Sequence, residues 1–278
     1  MKIFWLQLTH SSREEILQQL ESDIASWMRD KVQGRGKIIF TPNPEILLRQ
    51  DREKDFQEIL LQADMLIPDG IGLYIGAQML EYKNWWTRIL LLPYFFARLF
   101  VARESLYQKY GQRICGSDLT RDILEYAQKH RLKIAIVDPY FPQDLPKVAS
   151  QKSFEANLKK VFPWLDFEFF IYREEHKAHI ISDIQSSQSQ ILFSTLGMKV
   201  QEKSVLDIMQ HCPSIALGLW VGSSFDYLTW FQKRAPQIFS TLGLEWFYRL
   251  VTSPNKKRQL QKVWNAIFVF LWRVVRDK

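Results

Sequence analysis

From residue 37 to residue 222, short β-branched or aromatic runs alternate with segments whose apolar residues recur at helical spacing. "KIIFTPN" (37–43) reads as a strand entering a turn. "DREKDFQEILLQA" (51–63) sets Phe56, Ile59, Leu60 and Ala63 on one helical face, and "DMLIP" returns to strand. The same alternation continues with a helix over 117–130, for which Ser117 is a plausible N-cap, and with the strand "KIAIV" (133–137). Beyond it come a helix in "SFEANLKKVF", a strand in "FEFFIY" (167–172) and a polar helix over 177–188. "QILFST" (190–195), a helix from Gln201 and "SIALGLWVG" (214–222) complete the pattern. Strands separated by helices predict an α/β fold, a mostly parallel sheet covered on both faces. Ligands of such sheets bind beyond the carboxyl ends of the strands. Thr41, Asn43, Asp69, Gly197 and Gly222 all follow predicted strands and are expected to share that rim.

With 278 residues, 47% of them hydrophobic, the chain can bury a core in one large or two small domains. Two distant cysteines, Cys115 and Cys212, fit a reducing compartment and suggest neither a disulfide framework nor a zinc site. The N-terminal apolar run is shorter than a secretory h-region. The charge is localised. Residues 249–278 carry Arg249, Lys256, Lys257, Arg258, Lys262, Arg273, Arg276 and Lys278 against Asp277, which accounts for the whole formal excess of +7. A balanced body with a basic tail argues for an anionic surface met by one element and against a protein that wraps nucleic acid. Two apolar stretches depart from the soluble pattern, "WWTRILLLPYFFARLFVA" (85–102) and "VWNAIFVFLWRVV" (263–275). Arg88, Pro93 and Arg98 interrupt the first, and both fall short of the roughly 20 apolar residues of a membrane span. Aromatic residues mixed with cations suit helices lying in a headgroup zone; the alternative is two helices packed on the core or on a partner subunit.

In "LIPDGIG" (66–72) one carboxylate, Asp69, stands alone at the end of a predicted buried strand. Turn preferences explain Asp and Gly there without any function. Elsewhere there is little to hold a metal: no Asp-x-Asp occurs, Asp166 and Glu168 read as one face of an edge strand, and His176 and His179 read as a solvated helix face. GxSxG, P-loop and GxGxxG motifs are absent. "VGSSF" (221–225) has the look of a glycine turn entering a helix, which binds anions in many unrelated proteins.

Several segments, taken in order, resemble the WecG/TagA/CpsF family of glycosyltransferases: "TPNPEIL" (41–47), "ADMLIPDGIG" (63–72), "RICGSDL" (113–119), "LGMKVQE" (196–202), "LWVGSSFDYL" (219–228), "KRAPQIFSTLGLEWFYRL" (233–250) and the trailing "KKRQ". The resemblance implies a Rossmann-like core over 1–248, carrying the apolar insert 85–102, and a basic C-terminal helical appendage over 249–278. It implies inverting, metal-independent transfer of a sugar, often N-acetylmannosamine, from a UDP-sugar to a polyprenyl-diphosphate-linked acceptor. The enzyme would work without a cofactor at the cytoplasmic face of the membrane, met through 85–102 and 249–278. On this resemblance Asp69 is the general base, with Thr41, Asn43 and Gln201 beside the reacting groups. Arg113 would face the diphosphate, and Gly197, Gly222, Ser223 and Ser224 would receive the nucleotide. Arg249, Lys256, Lys257 and Arg258 would close over phosphates from the tail. The alternatives are Thr41 and Asn43 as turn caps, Gln201 as an exposed helix-start residue and Arg249 as a packing arginine. The chain departs from the family in the insert, in Asp138–Pro139 where a glycine turn is usual, and in Trp230 where glycine is preferred. A non-catalytic, membrane-associated sugar-nucleotide-binding scaffold is the alternative these departures keep open. Subunit number is open too, a homo-oligomer included.

Overall fold

The structure is a computed structural model that describes residues 1–30, 34–50, 53–137, 147–197, 200–222, 224–229, 235–236, 239, 244–252 and 256–277. Asp138–Pro139 and Trp230 lie outside the described residues. In chain order, a small antiparallel pair β1 (Lys2–Ile3) and β2 (Leu6–Gln7) leads into α1 (Arg13–Asp30) and β3 (Lys37–Phe40). Next come α2 (Pro44–Gln50), α3 (Lys54–Leu61), β4 (Met65–Leu66), α4 (Ile71–Leu80), α5 (Trp85–Leu90), α6 (Leu92–Val101), α7 (Arg103–Tyr110) and α8 (Gly116–His130). The second half holds β5 (Lys133–Val137), α9 (Lys147–Val161), β6 (Asp166–Phe170), α10 (Lys177–Ser187), β7 (Ile191–Ser194), α11 (Val200–His211) and β8 (Leu217–Trp220). After β8 follow α12 (Ser224–Leu228), α13 (Glu245–Thr252) and α14 (Lys256–Trp264), which continues through a π-helical turn (Asn265–Val269) into α15 (Phe270–Val275).

Strands β3 to β8 form one six-stranded sheet in the order β4-β3-β8-β7-β5-β6, with every pair parallel. This is the Rossmann-like α/β fold that the alternating pattern predicts. The four inner strands are buried on both faces, so they read as continuous apolar runs. The period-two side-chain rule divides them: Ile38 and Phe40 join α2, α3, α4, α10 and α11 on one face, whereas Ile39, Ile134 and Ile136 join α1, α8, α9 and α12 on the other. β6 lies at the edge and alternates. Its Asp166 and Glu168 are exposed, as expected from the sequence, and Glu168 pairs with Lys133 at 2.8 Å.

Two expectations change. Helix α8 starts at Gly116 rather than after Ser117: Cys115 is the N-cap, in extended backbone, and no side chain caps the helix. A Cβ on Gly116 would lie in ordinary contact with the sheet rim, 3.5 Å from Thr41 Oγ1 and 3.6 Å from Ser224 Oγ, and Ser117 falls inside the first turn. The apolar insert breaks at Leu91 into α5 and α6, with Pro93 tolerated in the first turn of α6. Within it Arg88 is not a cation at a lipid boundary. It is buried, and its Nη1 donates to the carbonyls of Val274, Val275 and Asp277. Helix ends leave such carbonyls without intrahelical partners, and the guanidinium satisfies them. No helix among the described residues is long and apolar enough to cross a membrane.

Helix α4 lies between the rim and the C-terminal helix. Gly70 precedes it with φ +95°, a conformation that glycine adopts without steric penalty. Further along, a Cβ on Gly76 would lie 2.9 Å from Phe270 Cε1, so that absent methyl lets α15 sit directly on α4.

Candidate active site

Two loops at the carboxyl ends of β3 and β4 carry the first residues. Beyond Phe40, Thr41 is buried and its Oγ1 accepts the indole Nε1–H of Trp220 at 3.0 Å. Trp220 stacks on Phe40 with ring centroids 4.6 Å apart, which fixes the indole. Asn43 caps α2: its Oδ1 accepts from the Ile46 N–H at 3.1 Å, with Pro44 opening the helix. Beyond β4, the Ile67 N–H donates to Phe40 O at 2.9 Å and the Asp69 N–H to Pro42 O at 3.0 Å. These backbone bonds tie the Asp69 turn to the segment between Thr41 and Asn43. The Asp69 side chain is half-buried, so it is open to a ligand yet set on a fixed turn.

The start of α8 supplies a cation. Arg113 is partly buried. Burial pulls against its charge, but Cys115, Tyr107, Asp69 and Glu245 around it outweigh that, and its pKa is raised. Burial also pushes the Cys115 thiol and the Tyr74 phenol up, which keeps both neutral near pH 7. Among the groups around Arg113, Asp69 and Glu245 are the carboxyl groups. Glu245, the first residue of α13, brings the C-terminal region to this point: the Cys115 thiol donates toward its two oxygens, each at 3.8 Å.

On the far side of Thr41, the rim continues at β7 and β8. The Val221 N–H donates to Ser194 O at 3.0 Å, and Gly222 turns the chain with φ +48°. Ser224 is buried, and both its N–H and its hydroxyl donate to Val221 O, at 3.0 and 2.6 Å. Its donors are thus spent inside the turn rather than presented to a nucleotide. Gly197 is exposed after β7, and its carbonyl accepts from the Gln201 N–H at 3.0 Å. Gln201 is 6% exposed, against the reading of an exposed helix-start residue. Its Nε2 donates to Glu202 Oε1 at 3.1 Å, while its own Oε1 is buried without a hydrogen-bond partner among the described residues. A buried amide oxygen left in this state is a place for a donor from a bound molecule.

The structure thus ties the Asp69 turn by its backbone to Pro42, between Thr41 and Asn43, and puts Arg113 in the field of Asp69. Gln201 shares no hydrogen bond with Thr41, Asn43 or Asp69. Lys256 and Lys257 are exposed in the first turn of α14. Ser223 and the side chains of Arg249 and Arg258 lie outside the described residues. Trp220 and Glu245 escaped sequence reasoning as site residues, although each stands inside a segment of the family pattern. Asp226 also escaped it. That carboxyl is fully buried in α12, and burial raises its pKa to about 8.

Known proteins resemble this chain over most of its length. N-acetylglucosaminyldiphosphoundecaprenol N-acetyl-beta-D-mannosaminyltransferase of Bacillus subtilis is 24% identical over 229 residues, spanning 82% of this chain and 76% of that relative. The protein of the same name from Bacillus spizizenii is 25% identical over 234 residues, spanning 83% of this chain and 77% of its own. The model of the glycosyl transferase WecG/TagA/CpsF family matches residues 1–100 and 97–278. Matched along its length and folded as an α/β sheet with its polar residues at the carboxyl rim, the chain belongs to the WecG/TagA/CpsF family of glycosyltransferases.

Proposed function

We propose that this glycosyltransferase moves a sugar, N-acetylmannosamine foremost, from a UDP-sugar to an N-acetylglucosamine carried on polyprenyl diphosphate. The acceptor follows from the names of the two Bacillus relatives, and the step belongs to cell-surface polysaccharide synthesis. Because that acceptor is lipid-linked, the enzyme works against the cytoplasmic face of the membrane.

The observation that carries the reading is Asp69, a half-buried carboxylate on a turn held to Pro42 and sharing its surroundings with Arg113. In a single displacement the acceptor hydroxyl oxygen bonds to the anomeric carbon as the bond from that carbon to the UDP phosphate oxygen breaks. The hydroxyl proton passes to Asp69, and the electron pair leaves with UDP. One displacement inverts the anomeric centre. Charge developing on the departing diphosphate is offset by the Arg113 guanidinium, a role that metal-dependent enzymes give to a divalent ion. Gln201, through its buried amide oxygen, is suited to accept a hydrogen bond from a sugar hydroxyl.

The test is UDP release from UDP-N-acetylmannosamine with a short-chain polyprenyl-diphosphate-linked N-acetylglucosamine. Asp69→Asn keeps the side-chain shape and the backbone bond to Pro42 but cannot take the proton. It is expected to lower kcat on the order of 100-fold or more with an unchanged melting temperature. Activity near wild type would remove Asp69 from the role. Nucleotide binding without turnover on any donor would favour the scaffold alternative.

A further inference from the structure

Trp220 ends β8, which lies between β3 and β7 in the sheet, and its side chain is buried. An indole has one polar atom, the Nε1–H, and it can only donate. Here it donates to Thr41 Oγ1 at 3.0 Å. The direction of this bond follows from the chemistry of the donor, and it makes Thr41 the acceptor. Its geometry is held from the side. Trp220 lies nearly parallel to Phe40, at 13° with centroids 4.6 Å apart, and Phe40 is itself fully buried. The two rings neighbour one another because each follows the paired residues Ile39 and Leu219 of adjacent parallel strands.

Packing explains half of this pair. A buried indole N–H needs an acceptor, and Thr41 supplies one. The other half is the proton that Thr41 itself carries. A threonine hydroxyl is donor as well as acceptor, and the Thr41 O–H has no acceptor among the described residues. Thr41 is 8% exposed, so water has little access to it, and a buried donor without a partner is costly. A Cβ on Gly116 would lie 3.5 Å from Thr41 Oγ1, so the glycine at the start of α8 puts no side chain of its own on that side of the hydroxyl. The next residue, Pro42, holds the Asp69 N–H through its carbonyl at 3.0 Å. The hydroxyl therefore belongs to the loop that fixes the proposed base.

We propose that Trp220 is a positioning residue for sugar transfer: its indole N–H, steadied by Phe40, occupies a lone pair of Thr41 Oγ1 and leaves the Thr41 proton to an oxygen of the bound substrate. The oxygen selected is one that accepts a hydrogen bond, such as a phosphate oxygen or an acetamido carbonyl. This deepens the function proposed above and rests on it. Trp220 itself touches no substrate; it acts through Thr41.

Two measurements on the full chain test it, one of them without turnover. Trp220→Phe removes the N–H and keeps an aromatic ring against Phe40, whereas Thr41→Val removes the hydroxyl at nearly constant shape. In proton–nitrogen NMR spectra of the substrate-free protein, the indole signal that vanishes in Trp220→Phe is expected to shift in Thr41→Val more than any other indole. A signal that stays in place overturns the proposal, whether or not the protein transfers sugar. The second measurement is steady-state kinetics with UDP-N-acetylmannosamine and the lipid-linked acceptor. Trp220→Phe is expected to lower kcat/KM about 10-fold, divided between kcat and the two KM values as in Thr41→Val. The double variant is expected to fall no further than Thr41→Val alone. A raised KM for the sugar nucleotide or for the lipid-linked acceptor identifies whose oxygen takes the proton. Losses that multiply in the double variant, a different division between kcat and KM, or full activity in Trp220→Phe overturn the proposal. Trp220→benzothienylalanine, which puts sulfur in place of the N–H at almost the same shape, carries the same expectations if Trp220→Phe does not fold. Absence of transfer by the wild-type protein counts against the proposed function instead, and the indole signal then decides this proposal.

Discussion

Asp226 occupies α12 behind the Ser224 turn, fully buried, with its pKa moved from 3.8 to about 8 by loss of hydration. Between those two values the unfolded chain holds fewer protons at this group than the folded one, so each step up in pH favours unfolding. Stability from the protonated carboxyl is complete below about pH 4 and is lost as pH rises through about 8. Asp226→Asn stays neutral throughout. It is expected to gain on wild type between pH 5 and pH 9 by about 2 °C or more in Tm, where one pKa unit corresponds to about 1.4 kcal/mol. A pH-independent difference in thermal melts would mean that the carboxylate is ionised and paired in the folded protein. At the same scale, the turn that carries Asp69 was legible in the sequence because an isolated acid at the end of an apolar run is conspicuous, while its role as base rests on the family resemblance. The Trp220 bond to Thr41 was not legible, since its partners are 179 residues apart. Asn43 shows why motif residues keep two readings: its Oδ1 caps α2, while its Nδ2 has no partner among the described residues and remains available to a ligand.

Among the elements, the strands buried on both faces and the helices between them followed from hydrophobic period, because neither depends on what packs against it. The insert did not. A run of aromatic residues mixed with cations resembles an interfacial helix, and only the tertiary contact with α15 turns Arg88 inward. The start of α8 was likewise not legible, because Cys115 is its N-cap and no side chain caps the helix. The second glycine after "PDG" in the α4 pattern, Gly76, has a tertiary cause. A Cβ there would lie 2.9 Å from Phe270 Cε1 and 3.3 Å from Val274 Cγ2, and both belong to a packed core. Gly76→Ala therefore sets the usual helix-favouring gain of about 1 kcal/mol against overpacking of about 1–3 kcal/mol. The net expectation is a lower urea midpoint, with α15 displaced from α4. A raised midpoint would show that the Phe270 ring yields freely and that the α4–α15 contact is loose.

Taken as a whole, the chain has a charge distribution that suggests a separable basic appendage over 249–278, but its buried surface is distributed differently. Phe270, Leu271, Val274 and Val275 belong to the same core cluster as Phe40, Leu73 and Ile75. At roughly 1.5–3 kcal/mol for each fully buried apolar side chain, those four together contribute on the order of the entire stability of a typical domain. Their removal would also leave Arg88 with one carbonyl partner, Tyr82 O, of the four it has now. A chain cut to residues 1–248 is therefore expected to lose its cooperative thermal transition and to aggregate. The control, Lys256→Glu with Lys257→Glu, changes the tail charge at exposed positions and is expected to melt like wild type. Calorimetry on the two proteins distinguishes the possibilities: a truncated chain with a sharp transition near the wild-type temperature would make 249–278 an independent attachment. Loss of that transition in the truncation alone would mean that the segment bearing the positive charge also closes the core beneath the carboxyl rim of the sheet.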